Sequence, residues 1–410
     1  MPRSIVIVGT LDTKGDHFAY MKQLIEKRGH RAIVMDVGVL GDIPFKPTIS
    51  REQVAEASGS SLRELLDCRE NEPKSVMDQM AKGASRLVKE FYRKGELDGL
   101  VSGGGSMGTA LALEVIKVLP LGVPKLIVST IAYSTAITPD MLSGDDLMMV
   151  PLVAGLWGLN SMSKRSLQMA AGAISGAAET YDDNRITKMK TIGVTSVGGS
   201  AQGYMNPLKH GLEERGYEVA VFHGTGMSGR IFEKAIMDGF IAASLDLVVG
   251  GELMNYLAGG VCSAGEHRLE ASGEMGIPQI VSPGRLLFHW WSGVPLPDQY
   301  GNRVRSFHNS IFGPVSCSSD EAAAVGTLMA EKLNKAKGPT AAVIPTKPPP
   351  KALAVGVIKQ AEWDAFREAF AGDINSGVKV VMLDGSSDDP SYVDTLLAIF
   401  DEMMPRQAIA

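Results

Sequence analysis

The chain opens on a short β-branched run, SIVIVG at residues 4–9, followed by a helical period from about 14 to 29 and a second apolar run, RAIVMDVG, at 31–38. Strand, helix, strand is the simplest reading of that alternation. After a stretch at 40–75 without clear period, expected to be irregular, a helix at 76–95 leads into LDGLVSGG. A helix at 106–118 and the run KLIVST at 125–130 follow. Crossovers of this length favour parallel pairing, with right-handed connections and helices on both faces of a sheet.

The polar stretch 181–190 lies between a small-residue helix and a fresh apolar run, TIGVTSVG. It is the expected boundary between a first domain, 1–185, and a second, 186–410. The same grammar then starts again. A helix at 200–216 precedes EVAVFHG, another at 228–239 precedes LDLVVGGE, and QIVSPG at 279–284 is a further expected strand. VRSFHN at 304–309, a helix at 320–335, TAAVIPTK, a helix at 361–371, VKVVMLD at 378–384 and a helix from 391 complete the pattern. The predicted class is α/β, two Rossmann-like lobes, each a mostly parallel sheet with helices on both faces. The residues from about 350 onward fit either lobe, since they supply one more strand and its helices.

Composition narrows the function classes. The chain has 410 residues, a net charge of −6, 45% hydrophobic and 21% charged residues, which is ordinary for a globular protein. No apolar run reaches the roughly 18 residues of a membrane-spanning helix. The N-terminus reads as a strand and not as a signal peptide, so a cytoplasmic location is expected. Cys68, Cys262 and Cys317 are widely spaced, without CxxC or a Cys/His cluster, which argues against a disulfide framework or a structural zinc site. The acidic balance and 6% aromatics argue against a nucleic-acid partner. The 46 glycines are an excess that points to tight turns, some of them able to approach a ligand closely.

Three turns in the first lobe carry candidate chemistry. GTLDTKG follows the opening strand: Gly9 permits close approach, Thr10 and Thr13 bring hydroxyls, Leu11 and Asp12 lie between them, Asp12 can cap a helix and Lys14 can reach a phosphate. The spacing does not match GxxxxGK[ST], so a P-loop is unsupported. Gly103, Gly104, Gly105, Ser106, Gly108 and Thr109 form a GxGxxG turn between strand and helix, the context in which backbone amides can hold an anion. Ser129 and Thr130 end the next strand with hydroxyls. Asp36 sits where an acidic side chain reads ribose in dinucleotide folds, with a strand-end turn as the plainer reading. The first turn carries one glycine of the nicotinamide fingerprint, which makes a dehydrogenase the weakest candidate.

A second GxGxxG, Gly224, Gly226 and Gly229 with Thr225, follows EVAVFHG, and Ser282 and Gly284 lie in the turn after QIV. These are the candidate ligand residues of the second lobe. His223, Glu252 and His308 lie near the ends of expected strands and are candidates for acid–base catalysis or ligation, although no metal motif fits their spacing. His289 beside Trp290 and Trp291 reads as a lid or interface cluster, or as ordinary packing. His17, His30, His210 and His267 carry no signal.

Taken together, GTLDTKG, SGGGSMGTALAL, GVPKLIVST, VFHGTGMSGR, GGVCSAGEHRLEA, GIPQIVSPG and SFHN resemble, in order along the whole chain, the family of the ATP-binding domain of the plant tobamovirus-resistance protein, which has bacterial members. The resemblance implies two Rossmann-like lobes, ATP in the first lobe with or without Mg²⁺, and a homodimer. Carried over by position, it implies nucleotide contacts at Gly9 to Lys14, Gly103 to Thr109, and Ser129 to Thr130. It implies no reaction. The expected function is therefore an ATP-binding protein with a second ligand or active site in the second lobe or the cleft. The alternatives are a transferase, ligase or hydrolase acting through His223, Glu252 and His308 on a small anionic metabolite, and a non-catalytic interaction module.

Overall fold

The structure is a computed structural model. It describes all residues except 69–72, 156, 183–189, 285–286, 293–295, 307, 310 and 405–410, and gives the main chain alone at 68, 73, 200 and 312. The chain forms two compact units, Met1–Arg185 and Ile186–Ala410. Of the expected boundary stretch 181–190, residues 183–189 lie outside the described residues.

In the first unit, β1 (Ser4–Gly9), β2 (Arg31–Asp36), β3 (Gly99–Gly104), β4 (Lys125–Ser129) and β5 (Met148–Pro151) form one sheet in the order β2-β1-β3-β4-β5. Every neighbouring pair is parallel. The strands read as continuous apolar runs because both faces are covered. Val6, Val8, Ile33 and Met35 enter one core, and the alternating Ile5, Ile7 and Val34 enter the other. The stretch expected to be irregular contains the helices Arg51–Ser58 and Leu62–Cys68. Each begins at a reciprocal serine box. Ser50 N–H donates to Gln53 Oε1 at 2.9 Å and Ser61 N–H to Glu64 Oε2 at 2.8 Å, while each serine hydroxyl accepts from the backbone N–H three residues on.

The second unit repeats the topology with one more strand. β6 (Thr191–Ser196), β7 (Glu218–His223), β8 (Ile241–Asp246) and β9 (Gln279–Val281) are followed by a small antiparallel pair, β10 (His289–Ser292) with β11 (Phe312–Val315). β12 (Thr340–Pro345) and β13 (Lys379–Leu383) then complete a parallel sheet in the order β13-β12-β9-β8-β6-β7. The C-terminal stretch therefore belongs to the second unit: β13 pairs with β12, and Tyr392, Leu396 and Phe400 of the last helix join that unit's core.

Two expectations shift. LDLVVGGE is not a strand; β8 ends at Asp246 and Val249–Ala258 is a helix, so Glu252 lies in a helical first turn. VRSFHN is not a strand either. Arg305 makes an isolated bridge to Val315, and residue 307 is outside the described residues.

β10 is anchored through a hydrogen bond to a carboxylate. His289 is fully buried and its Nε2 lies 3.2 Å from Glu321 Oε2, which also accepts from Ser318 N–H at 2.8 Å and from Arg303. Burial opposes ionisation of Glu321, but these hydrogen bonds outweigh it and hold the carboxyl down at about 2. A lowered carboxyl stabilises above its unfolded value and loses that contribution as the pH falls towards about 2. Glu321→Gln is expected to flatten the acid limb of the stability curve between about pH 4.5 and 2, read by urea unfolding at several pH values.

Candidate functional site

In open parallel sheets ligands sit beyond the carboxyl ends of the strands where the strand order reverses. In the first unit that point lies between β1 and β3. β1 delivers Gly9 and the turn behind it; β3 delivers Gly104 and the helix Ser106–Ile116.

The first turn is built from inside. Asp36, at the end of β2, is fully buried; its Oδ1 accepts from Leu11 N–H at 3.0 Å and Gly38 N–H at 2.9 Å, and its Oδ2 from Arg51 Nε at 2.8 Å. All of its carboxylate is engaged within the fold, which corrects its expected place as a ribose reader. Asp12 is also turned inward, accepting from Leu40 N–H at 2.6 Å. Gly9 is required because a Cβ there would lie 2.2 Å from the Phe18 ring. Thr10 and Thr13 share a hydrogen bond of 3.1 Å between their hydroxyls, and the helix Leu11–Lys27 is kinked at Lys14 (φ −130°, ψ 17°). Lys14 Nζ is 6.0 Å from the centre of the Trp157 ring, which is 97% exposed.

The glycines of the β3 turn divide by role. A Cβ on Gly103 would sit 2.0 Å from the Val128 carbonyl oxygen, and one on Gly108 2.9 Å from the Gly103 oxygen, so both serve close backbone packing. Gly104 has φ +152°, a conformation side chains rarely adopt. Gly105 is different: it is the N-cap of the helix, lacks a side-chain cap, and has open space around it, its nearest neighbour being Thr130 Oγ1 at 4.0 Å. Ser106 and Thr130 are exposed beside it. Ser129 and Thr109 are not available to a ligand in this arrangement. Both are fully buried, and their hydroxyls bond each other at 2.7 Å.

Lys14 joins the two turns. It lines a slot of about 20 Å³ with Gly103, Gly104, Ser102 and His17, walled by Met21, Val101 and Leu167. It also lines an open polar cavity of about 370 Å³ with Asp12, Thr13, Asp16, His17, Asp42 and Gly158. His17, without signal in the sequence, borders both. The signal that existed was positional: it falls three residues after Lys14, one helical turn on and on the same face.

The second unit places its candidates differently. Its GxGxxG follows β7, the counterpart of β2, and not β8, the counterpart of β3. The space inside that turn is filled by the protein itself. Glu252 is fully buried; its Oε1 accepts from Gly226 N–H at 2.7 Å, and a Cβ on Gly229 would lie 2.3 Å from that oxygen. A Cβ on Gly224 would meet Val248 at 2.3 Å, and one on Gly226 would meet the Cys262 carbonyl carbon at 3.0 Å. The turn already contains a carboxylate, which corrects its expected role as an anion cradle. Thr225 Oγ1 turns back to its neighbour, 3.5 Å from the His223 oxygen. Ser282 is fully buried, and Gly284, at φ +78°, permits the turn after β9 to pass 2.3 Å from the Leu247 oxygen at Cβ distance.

The other side of Glu252 explains its burial. Arg268, also fully buried, donates from Nε to Glu252 Oε2 at 2.6 Å, from Nη1 to Glu233 at 2.8 Å, and to both oxygens of Asp246. Thr195 at the end of β6 donates to Asp246 Oδ1 at 2.7 Å. Burial raises the carboxyls of Glu233 and Glu252 despite Arg268; burial also opposes the charge of Arg268, but attraction to Asp246, Glu252 and Glu233 lifts it well above its ordinary value. The cluster clamps the carboxyl ends of β6 and β8 to the helices behind them. Glu252 is thus held as an internal anchor, which corrects its place as a catalytic acid. His308 packs edge-on against Trp290 of β10 at 5.5 Å. His223 is exposed and lines a cavity of about 320 Å³ with Ser196, Gln202, Asn206 and Lys209. Among the described residues no group of three or more His, Cys, Asp or Glu side chains is arranged to hold a metal ion, and no helix is long and apolar enough to cross a membrane.

A protein of Brucella suis is 36% identical over 97% of this chain and 94% of its own length, and one of Clostridium tetani is 36% identical over 85% of each. The ToMV resistance protein Tm-1(GCR237) of Solanum lycopersicum is 34% identical over 65% of this chain, which corresponds to 36% of the tomato protein. Among solved structures, the UDP-GlcNAc 2-epimerase of Neisseria meningitidis bound to UDP-GlcNAc aligns over 68% of this chain and 82% of its own at 8% identity, with a TM-score of 0.22. The Streptomyces glycosyltransferase SsfS6 with thymidine diphosphate aligns over 97% and 99% at 13% identity, with the same TM-score. At those scores neither bears on chemistry. Residues 3–183 match the N-terminal domain and residues 189–404 the C-terminal domain of the Uncharacterised protein family (UPF0261), and the chain belongs to that family.

Proposed function

We propose that the first unit binds ATP, its phosphates lying at the uncapped N-terminus behind Gly105 with Lys14, the half-buried Thr10 and the exposed Thr13, Ser106 and Thr130 around them. The observation that carries this reading is Gly105 itself. It begins an 11-residue helix without a side-chain cap, in open space, beside a slot that Lys14 borders. Unpaired amides at a helix start and a nearby ammonium attract a polyphosphate. The resemblance to the plant ATP-binding domain agrees with this; the homodimer that the resemblance also implies is tested by sedimentation with and without ATP.

The test is calorimetric titration of ATP, with and without Mg²⁺, into wild-type protein and Lys14→Ala. Loss of a hydrogen bond to a charged group is worth about 1.5–3 kcal/mol, so roughly tenfold or more weaker binding is expected for the variant. Absence of heat with wild type removes the proposal.

A second reading, a small anionic metabolite bound in the second unit, draws support from the cavity beside His223 and Lys209. It requires neither Glu252 nor His308. Thermal-shift screening of phosphorylated and carboxylated metabolites against wild type and His223→Ala addresses it: a ligand that stabilises both equally does not use this cavity.

A further inference from the structure

The loop 152–160 leads from β5, the edge strand of the first sheet, to the helix Ser161–Thr180. It borders the candidate site: Leu152 lines the slot beside Gly103 and Gly104, Gly158 lines the polar cavity, and Leu167 of the helix returns to the slot. Trp157 precedes Gly158 in this loop and is 97% exposed. The chain's other tryptophans are folded in, Trp363 and Trp290 buried and Trp291 half-buried. An indole brings roughly 150–250 Å² of surface that folding ordinarily covers, and here folding leaves it to solvent.

The surroundings of the ring indicate what covers it. Lys14 Nζ lies 6.0 Å from the ring centre, and the same lysine borders both the slot and the polar cavity. The indole therefore stands beside the cation proposed to hold phosphate. On the cavity side Asp12, Asp16 and Asp42 form negatively charged walls, which repel phosphate and direct it to the glycine turn. The uncharged end of the same ligand is left on the side of Gly158 and Trp157. In a nucleotide that end is a flat aromatic base, and a base stacks on an aromatic side chain by its face, whatever its ring substituents.

From the exposed indole, its place beside Lys14 and this division of charge, we infer that Trp157 is a binding residue of the site and stacks on the base of the nucleotide. The inference rests on the nucleotide reading of the first unit and adds what that reading lacks, the position of the base.

The test pairs ligands with and without a base. ATP and inorganic triphosphate are titrated by calorimetry into wild type, Trp157→Phe and Trp157→Ala, and tryptophan emission is followed through the ATP titrations. An exposed side chain can be removed without loss of the fold, so all three proteins should melt alike. Trp157→Ala is expected to bind ATP about tenfold more weakly, the order of one base–aromatic stack, and triphosphate as wild type does, with Trp157→Phe recovering most of the ATP affinity. Emission of wild type should fall on binding and that of Trp157→Phe should not change, because the remaining tryptophans lie in the second unit. ATP binding by wild type with unchanged emission overturns the inference and leaves the nucleotide reading standing. Equal ATP affinity in wild type and Trp157→Ala does the same, and together with altered sedimentation of the variant it would assign the indole to a protein contact. Equal losses for ATP and triphosphate also overturn it, since the indole would then act only by holding Lys14. No binding of ATP by wild type overturns both. The emission of wild type is decisive alone, so a variant that fails to fold or a triphosphate too weak to titrate does not shelter the inference.

Discussion

Arg268→Met is expected to destabilise the second unit by about 3–5 kcal/mol, the cost of leaving buried carboxylates without their counter-ion. Three of them, Asp246, Glu233 and Glu252, converge on this one guanidinium, and Arg268 and Glu252 have no exposed side-chain surface. Methionine fills much of the same volume, so the loss is electrostatic more than steric. The effect should be read as a fall in melting temperature of roughly 10 °C. The sign of its pH dependence follows from the direction of the shifts. Glu233 and Glu252 already have carboxyls raised by burial, so the folded state takes up protons more readily than the unfolded state above the ordinary value of 4.5. Removing the arginine raises them further. The deficit of the variant should shrink as the pH is lowered from neutral towards the ordinary carboxyl value of 4.5, and Glu252→Gln added to Arg268→Met should recover part of it. A deficit independent of pH would mean that packing, not charge, is what Arg268 supplies.

Two neighbouring glycines should respond in opposite ways. Gly103→Ala places a Cβ 2.0 Å from the Val128 carbonyl oxygen, a backbone atom in the adjacent strand that cannot step aside without parting β3 from β4. A cost of about 1–3 kcal/mol or more is expected, with a lower melting temperature for the first unit. Gly105→Asp meets no atom nearer than Thr130 Oγ1 at 4.0 Å, at φ −74°, where aspartate is unstrained. Its carboxylate caps the helix and complements the dipole, so stability should hold or rise by a few tenths to about 1 kcal/mol. The same carboxylate occupies the proposed phosphate position, and ATP affinity should fall at least tenfold. A Gly105→Asp protein that binds ATP as wild type does would place the phosphates elsewhere.

The contrast between those glycines shows the limit of motif reading. Two turns carry the same GxGxxG pattern in the sequence, each after a strand and before a helix. In the first, an open residue remains at Gly105; in the second, Glu252 has entered the turn from a helix 26 positions away and bonded Gly226. Spacing along the chain carries no information about which distant side chain fills a turn. Asp36 and the Thr109–Ser129 pair teach the same lesson in the first unit, since whether a polar strand end faces outward depends on Arg51 and on the neighbouring helix. His17 fails in the other direction. A histidine within a helix is unremarkable until its neighbours leave one nitrogen without a partner.

Some misses were legible. Ser50 with Gln53 and Ser61 with Glu64 are capping boxes that announce the helices in the stretch expected to be irregular. The displacement of β8 had less to warn of it. From Ile241 to Ala258 the chain is apolar almost throughout, and a buried strand running into a buried helix leaves no change of period at the junction.

By itself the sequence determined the alternation of strands and crossover helices, the two-lobe plan and the position of the glycine turns, because these depend on local backbone preference and on burial that repeats along the chain. Tertiary structure alone decided that β13 completes the second sheet, that Arg268 gathers three carboxylates, and which polar atoms remain open at the turns. Those outcomes depend on groups far apart in sequence competing for the same hydrogen bonds and the same space, and no local pattern records who wins.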